Sequence, residues 1–400
     1  MSADVVIVGA ARTPIGRYGG SFRQVHPAEL GAVAVREALK RASVAPTDVD
    51  DVLIGQARQA GSGPNPGRQV VRRAGLPDAV PGQTINKACA SGMQAVASGA
   101  EAIMLGNASV VVAGGIESMS RMPHLVDSED GRWGHRMGNF ALVDAMYRDG
   151  FTCSLSGMIM GETAEVLASE YGITREASDA YALETQRRAG VAISEGRFDA
   201  EIAPVTVTDS KGRSTLVTRD EHPRPDTTIE QLRKLPLVFG DVNGRPGIIT
   251  AGTSSGITDG GAALVLMDAQ KAKEAGIAPL ARLIGWASAG VDPKIMGIGP
   301  VPAMRKLFAR TGLSLADFDL VELNEAFAAQ VLAVLRDEPI PSEKLNVNGG
   351  AIALGHPIGC TGARILVTLL YEMMRRNVRR GLATLCVSGG MGMAMAIERT

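Results

Sequence analysis

The sequence predicts an α/β protein built from two similar halves, the first interrupted by a long insertion. Short β-branched runs alternate with amphipathic stretches along the chain, the pattern of strands and helices packed in layers. The second half repeats the order of the first and some of its residues: Thr47–Val52 resembles Ala316–Val321, and Ala108–Gly115 resembles Ala383–Gly390. At 400 residues the chain is also long enough for two or three units of roughly 100–200 residues each.

In the first half, Val5–Val8 reads as a strand. Pro27–Ala42 reads as a helix, with Leu30, Val33, Ala34 and Leu39 on one side. Val49–Ile54 is a strand, Arg68–Ala74 a short helix and Gln83–Ala88 a strand. Cys89–Leu105 follows as a helix rich in small residues, then Ser109–Ala113 as a strand ending in Gly114-Gly115. In the second half the strands are Ala281–Trp286, Asp319–Leu323, Leu345–Asn348 and Leu382–Val387. The helices there are Val301–Thr311, Ala326–Leu335 and Gly362–Met374. Met393–Ile397 closes that half. Its counterpart, Ala262–Met267, comes only after an insertion from about Glu117 to Thr250. The expected units are therefore 1–118 with 250–270, an inserted segment 119–249, and 271–400. The insertion holds helices around Thr163–Glu170 and Arg175–Arg188 and a polar stretch, His222–Asp226, expected at the surface.

Composition narrows the function. Lys+Arg 41 against Asp+Glu 42 gives a net charge of -1, which argues against a generic nucleic-acid binder. The basic run Arg375, Arg376, Arg379 and Arg380 closes a helix, where positive charge suits the C-terminal dipole. No apolar run reaches about 18 residues, so no membrane span is expected. The N-terminus enters Val5–Val8 without a basic, apolar leader pattern, and the four cysteines form no C-x-x-C pair. A reduced, cytoplasmic protein is the expectation. Five scattered histidines lack an H-E-x-x-H pattern, so no metal site is expected, and no phosphate-cradling P-loop sequence occurs.

The reactive candidates lie at turns. Cys89 stands where a strand turns into a helix, where helix N-terminal charge and free amides lower a thiol pKa. Taken alone it reads more readily as a buried structural cysteine. Gly349–Pro357 is a glycine-rich turn that presents His356. Asn324-Glu325 opens a helix, and a capping role would explain both residues. Cys386 ends a strand just before Ser388-Gly389-Gly390.

Taken together and in order, these segments resemble the thiolase family, along with Ala11-Arg12-Thr13-Pro14 and Thr250–Gly256. The resemblance covers essentially the whole chain. It implies a layered α-β-α-β-α fold and a reversible Claisen condensation through an acyl-enzyme. By resemblance, Cys89 is the nucleophile and His356 the base that activates it. Cys386 is the acid/base acting on the methyl carbon of the second acetyl-CoA. Asn324, through a water, and His356 hold the enolate oxygen. Backbone N–H groups of Cys89 and Ser388 form the second oxyanion hole. Met160 and Met296 resemble residues lining the acyl pocket, and Ser255 one that contacts pantetheine.

Three departures stand out. Ser388 replaces a glycine, Ile159 stands where many acetoacetyl-CoA-specific members have histidine, and Pro236 stands where an arginine is expected near the adenine. The resemblance implies an acetyl-CoA C-acetyltransferase whose partners are acetyl-CoA, acetoacetyl-CoA or longer 3-ketoacyl-CoA, and CoA. No cofactor is implied, the CoA thioesters being substrates. A homodimer or homotetramer is expected. The alternatives are a broad-chain 3-ketoacyl-CoA thiolase of fatty-acid β-oxidation and a catalytically inactive acyl-CoA-binding protein of the same fold.

Overall fold

The computed structural model describes residues 4–242 and 244–400. Its main sheet takes β1 (Val5–Arg12), β2 (Asp51–Gly55), β3 (Gly82–Ile85), β4 (Val110–Ser118) and β5 (Thr258–Asp268) from the first half. From the second half it takes β6 (Ala281–Gly290), β7 (Leu320–Leu323), β8 (Arg380–Val387) and β9 (Met391–Arg399). The spatial order is β7-β8-β9-β6-β1-β5-β4-β2-β3, with Gly16–Arg17 as a short tenth strand beside β5. Each half uses the same pairings. β1–β5 and β5–β4 are antiparallel and β4–β2 parallel; β6–β9 and β9–β8 are antiparallel and β8–β7 parallel. The halves join where Val6 and Ile7 pair with Arg282 and Ala281.

The helices are α1 (Pro27–Ala42), α2 (Pro66–Ala74), α3 (Ser91–Met104), α4 (Met160–Glu170), α5 (Arg175–Ser194), α6 (Pro300–Thr311), α7 (Ala328–Asp337) and α8 (Ile358–Arg376). Strand alternation decides which layer each covers. Val110 and Val112 face α1 and α2 in one core, while Val111 and Ala113 face α3 and α8 in another. Leu385 and Val387 of β8 join that second core from the other side, and Leu382 with Val321 and Leu323 packs under α6 and α7. The central helices α3 and α8 are thus shared by both halves, giving the five layers α-β-α-β-α. That position explains why α8 is buried on every face from Ile358 to Leu370, as a helix in the middle of a core must be.

The repeat extends to hydrogen bonds. Asp50 Oδ2 accepts the amides of Ser109 and Val110, and Asp319 Oδ2 those of Arg379 and Arg380. Val110 therefore corresponds to Arg380, not to Leu385 as the likeness of Ala108–Gly115 to Ala383–Gly390 implied. The two glycine pairs do different work. Gly114 and Gly115 lie buried inside β4, which runs on to Ser118, because a Cβ there would strike the carbonyls of Ala262 and Gly359. Gly389 and Gly390 follow β8 in a turn at φ 87° and 82°.

Two element assignments also change. Leu345–Asn348 is not a strand; Leu345 makes one bridge to Val321. Helix α7 starts at Ala328, so neither Asn324 nor Glu325 caps it.

The segment between β4 and β5 is tied to β1 by Arg12. Its Nε donates to Glu201 at 2.5 Å and its two terminal nitrogens to Asp220 at 2.7 and 3.0 Å. Among the described residues no helix is long and apolar enough to cross a membrane.

Candidate active site

Cys89 lies in a tight turn two residues ahead of α3, not in the helix itself. Ala88 adopts a left-handed conformation, φ 45°, which costs a residue with a Cβ roughly 1–2 kcal/mol. Side chains hold it there. Asn86 Oδ1 accepts the Ala88 amide at 3.0 Å, and Ser91 Oγ accepts the Lys87 amide at 2.9 Å while donating to the Ala88 carbonyl at 2.6 Å. The thiol stays partly open to a cavity.

His356 stands two residues ahead of α8, after Gly355 at φ 103°. Its Nδ1 lies 2.6 Å from Thr361 Oγ1, and the Thr361 hydroxyl donates to the Pro357 carbonyl at 3.0 Å. The threonine oxygen is thus an acceptor toward the ring. This network places the proton on Nδ1 and leaves the Nε2 lone pair free. Burial, and then the charges of Arg364 and Arg58, push the imidazole pKa down to about 3, so the ring is neutral at pH 7.

Glycines let the two helix starts meet. A Cβ on Gly92 would lie 2.8 Å from the Ala363 amide nitrogen, and one on Gly362 only 2.5 Å from that of Met93. The close crossing of α3 and α8 brings the turns of Cys89 and His356 to one cavity, which Cys386 and Ser388 also line. Cys386 is fully buried beside Met296, Ala326 and Met160. Burial, then the neighbouring Cys89, pushes its thiol well up, so it is protonated at neutral pH. Ser388 is outside the left-handed region, which its two glycine successors take over. Its amide and that of Cys89 both donate toward the Cys89 sulfur.

The expected lowering of the Cys89 pKa is overturned. The amide donors and Arg58 act in that direction, but burial outweighs them and the thiol is pushed up. A nearby base is therefore needed, and His356 is neutral and free at Nε2. Asn324, buried just after β7, donates its amide to Thr384 at 3.0 Å, and neither side-chain polar atom has a protein partner. Glu325 instead ties three segments together, accepting from Tyr181, Thr185, Asn346 and the Ile352 amide.

The cavity holds about 1340 Å³ and runs from Cys89, His356, Cys386 and Ser388 past Met160, Ile159 and Ser255 to exposed Arg17 and Arg224; Asn324 is not among its lining residues. The stretch His222–Asp226, expected as plain surface, forms part of its wall, with His222 and Pro223 half-buried. Pro236 does not line it; the cations at the open end come from Arg17 and Arg224. Arg58 and the buried Glu117 were also missed. Neither has a sequence signal, because each works through chain distant in sequence. Glu117 accepts the amides of Ala57, Arg58 and Gly359 and thereby joins the turn after β2 to the start of α8.

Comparison with known proteins agrees with this arrangement. The thiolase N-terminal domain matches residues 5–270 and the thiolase C-terminal domain residues 277–399. The chain belongs to the thiolase family, and as a thiolase it is an acyltransferase. It is 50% identical over 396 residues to the acetyl-CoA acetyltransferases of Cupriavidus necator and Escherichia coli, covering 99% of each chain in both cases. It is similar in structure to the Bacillus anthracis acetyl-CoA acetyltransferase, with TM-score 0.96 and 46% identity over 100% of this chain and 99% of that one. Human mitochondrial 3-ketoacyl-CoA thiolase superposes at TM-score 0.94 with 41% identity, over 100% and 99%.

Proposed function

We propose that the protein is an acetyl-CoA C-acetyltransferase that joins two acetyl-CoA molecules into acetoacetyl-CoA and CoA, and runs the reverse thiolysis. One observation carries the reading: two thiols in opposite settings share a cavity with a neutral histidine. Cys89 faces two amide donors, and Cys386 is held as the neutral thiol. In the first stage, His356 Nε2 takes the Cys89 proton as sulfur attacks the thioester carbonyl. The amides of Cys89 and Ser388 receive the oxyanion, and CoA leaves with the Cys386 proton, so that Cys386 is left as the thiolate and His356 as the imidazolium. In the second stage, the Cys386 thiolate left by CoA departure removes a proton from the methyl of a second acetyl-CoA and is a neutral thiol again. The enolate oxygen is held by His356 and, through a water, by the unpaired amide of Asn324. The carbanion attacks acetyl-Cys89, and the sulfur it frees takes its proton back from His356.

Met160, Met296 and Ser255 line the cavity, and we assign the two methionines to the acyl end and Ser255 to the pantetheine arm. Arg17 and Arg224 suit the CoA phosphates. The thioesters are substrates, and the chemistry asks for no further cofactor. We also read the protein as a cytoplasmic homodimer or homotetramer. Its four free thiols suit a reducing compartment. Exposed Val126, Trp133, Met137, Phe140 and Leu142 all fall in the segment 126–142, and this concentration of exposed apolar side chains suits burial between copies.

The test is acetyl-CoA labelling with peptide mapping, followed by turnover across a 3-ketoacyl-CoA length series. An acetyl group on Cys89 and a preference for the four-carbon substrate are expected. Equal turnover of long chains would move the assignment to the broad-chain enzyme, and labelling without transfer to the inactive binding protein.

A further inference from the structure

Arg58 follows β2 by three residues and is buried, where a guanidinium ordinarily has a carboxylate partner. Among the described residues no carboxylate oxygen lies within the 4.0 Å of an ion pair from it. Nη2 donates to the Gly150 carbonyl at 2.6 Å, which pins the group, and Nε is buried without any partner. The side chain lines the same cavity as Cys89 and His356. The nearby carboxylate is Glu117, but its oxygens serve the amides of Ala57, Arg58 and Gly359, and burial pushes its pKa up to about 7. Near neutral pH Glu117 is only partly charged, so the Arg58 cation is not balanced by it. A fixed, under-compensated cation thus faces a cavity in which an anion must form.

We propose that Arg58 is the fixed counter-charge of the Cys89–His356 pair, easing loss of the Cys89 proton during attack and keeping His356 the free base beforehand. The proposal rests on Cys89 being the nucleophile. Arg58 acts through these two residues, so it is a positioning residue. Its charge favours loss of a proton from either one; in the free enzyme that proton goes to solvent, and during turnover the Cys89 proton goes to His356 Nε2. The other groups facing the pair are Glu117 from β4, Cys386 from β8 and Arg364 from α8. Glu117 opposes Arg58 at Cys89, Arg364 reinforces it at His356, and Cys386 is a neutral thiol. Burial sets the direction at Cys89, and among the charged groups Arg58 draws the thiol down against Glu117.

The experiment follows the pH dependence of iodoacetamide alkylation at Cys89, read by peptide mass spectrometry, beside steady-state kinetics with acetyl-CoA. In Arg58→Leu the alkylation profile should move up by about one pH unit, making alkylation roughly tenfold slower at neutral pH. Turnover should fall while KM changes less than about twofold. Arg58→Lys keeps the charge and should return the profile most of the way. Glu117→Gln removes the opposing charge and should move it down, by less. A structural role predicts no such opposite shifts. An Arg58→Leu profile matching the wild type overturns the proposal, as does a raised KM with an unmoved profile, which would place Arg58 against substrate. If Arg58→Leu does not fold, Arg58→Gln is read by the same criteria. If acetyl-CoA labels no Cys89 in the wild type, the nucleophile assignment fails. If Cys89 is labelled and the Arg58 profiles coincide, only the counter-charge fails.

Discussion

Cys89 stands two residues ahead of α3 and His356 two residues ahead of α8, at matching stations of the two halves. One turn is closed by left-handed Ala88 and the Ser91 hydroxyl. The other is closed by Gly355, with Thr361 orienting the ring. The strands beside them diverge further. β4 continues through Glu117 to Ser118 and uses its carboxylate to clamp the start of α8, whereas β8 stops at Val387 and turns away through two glycines. That early stop turns the Ser388 amide toward the Cys89 sulfur and leaves Cys386 at the cavity. Duplication supplied the seam, and divergence at the strand ends filled it with unlike groups. Two equivalent halves would have presented two copies of one group, which cannot divide nucleophile, base and carbon acid/base among different residues.

The comparison breaks most completely at Cys89. Cys89→Ala should lose both the acetyl adduct and all turnover, since the other thiol of the site, Cys386, is fully buried and held protonated. An adduct found on Cys153 or Cys360 instead would overturn the assignment. Next comes His356→Ala, which removes thiol activation and an enolate donor together. With each role worth roughly 10²-fold, kcat/KM should fall about 10⁴-fold, more than for Asn324→Ala, whose place a water can partly fill.

Cys386→Ala separates the two thiols. It should still form acetyl-Cys89 but lose carbon–carbon bond formation by about 10²–10⁴-fold, together with solvent deuterium uptake into the acetyl methyl. Unchanged exchange would assign proton removal to another residue, most simply His356, and defeat the two-thiol scheme.

The smaller effects concern the frame. Gly362→Ala sets a Cβ 2.5 Å from the Met93 amide nitrogen and should cost about 1–3 kcal/mol by denaturant unfolding, with slower Cys89 labelling as α3 and α8 part. Smallest of all, Asp50→Ala and Asp319→Ala each remove the acceptor for two amides at matching places. Each should cost about 1–2 kcal/mol, and the two values should agree within roughly 0.5 kcal/mol. Clearly unequal losses would show that the repeat is geometric only.

The sequence by itself determined the class of fold, most of its elements and candidate residues that the fold brings to one cavity. Helix α1 runs over Pro27–Ala42 as its periodicity and initial proline required. Cys89, His356 and Cys386 are legible because the turns that present them are written in neighbouring small residues and glycines. These are local properties, fixed by residues a few positions apart. Tertiary structure decided the rest. The likeness of Ala108–Gly115 to Ala383–Gly390 gave the wrong register, because the correct one is set by Asp50 and Asp319 reaching strands about 60 residues away. The thiol pKa of Cys89 rises although a helix start lowers it, because burial sums over every segment packed around the sulfur. Arg58 enters the site only through a carbonyl 92 residues on, at Gly150. Burial and charge add over neighbours in space, and a chain read in order does not say which neighbours those are.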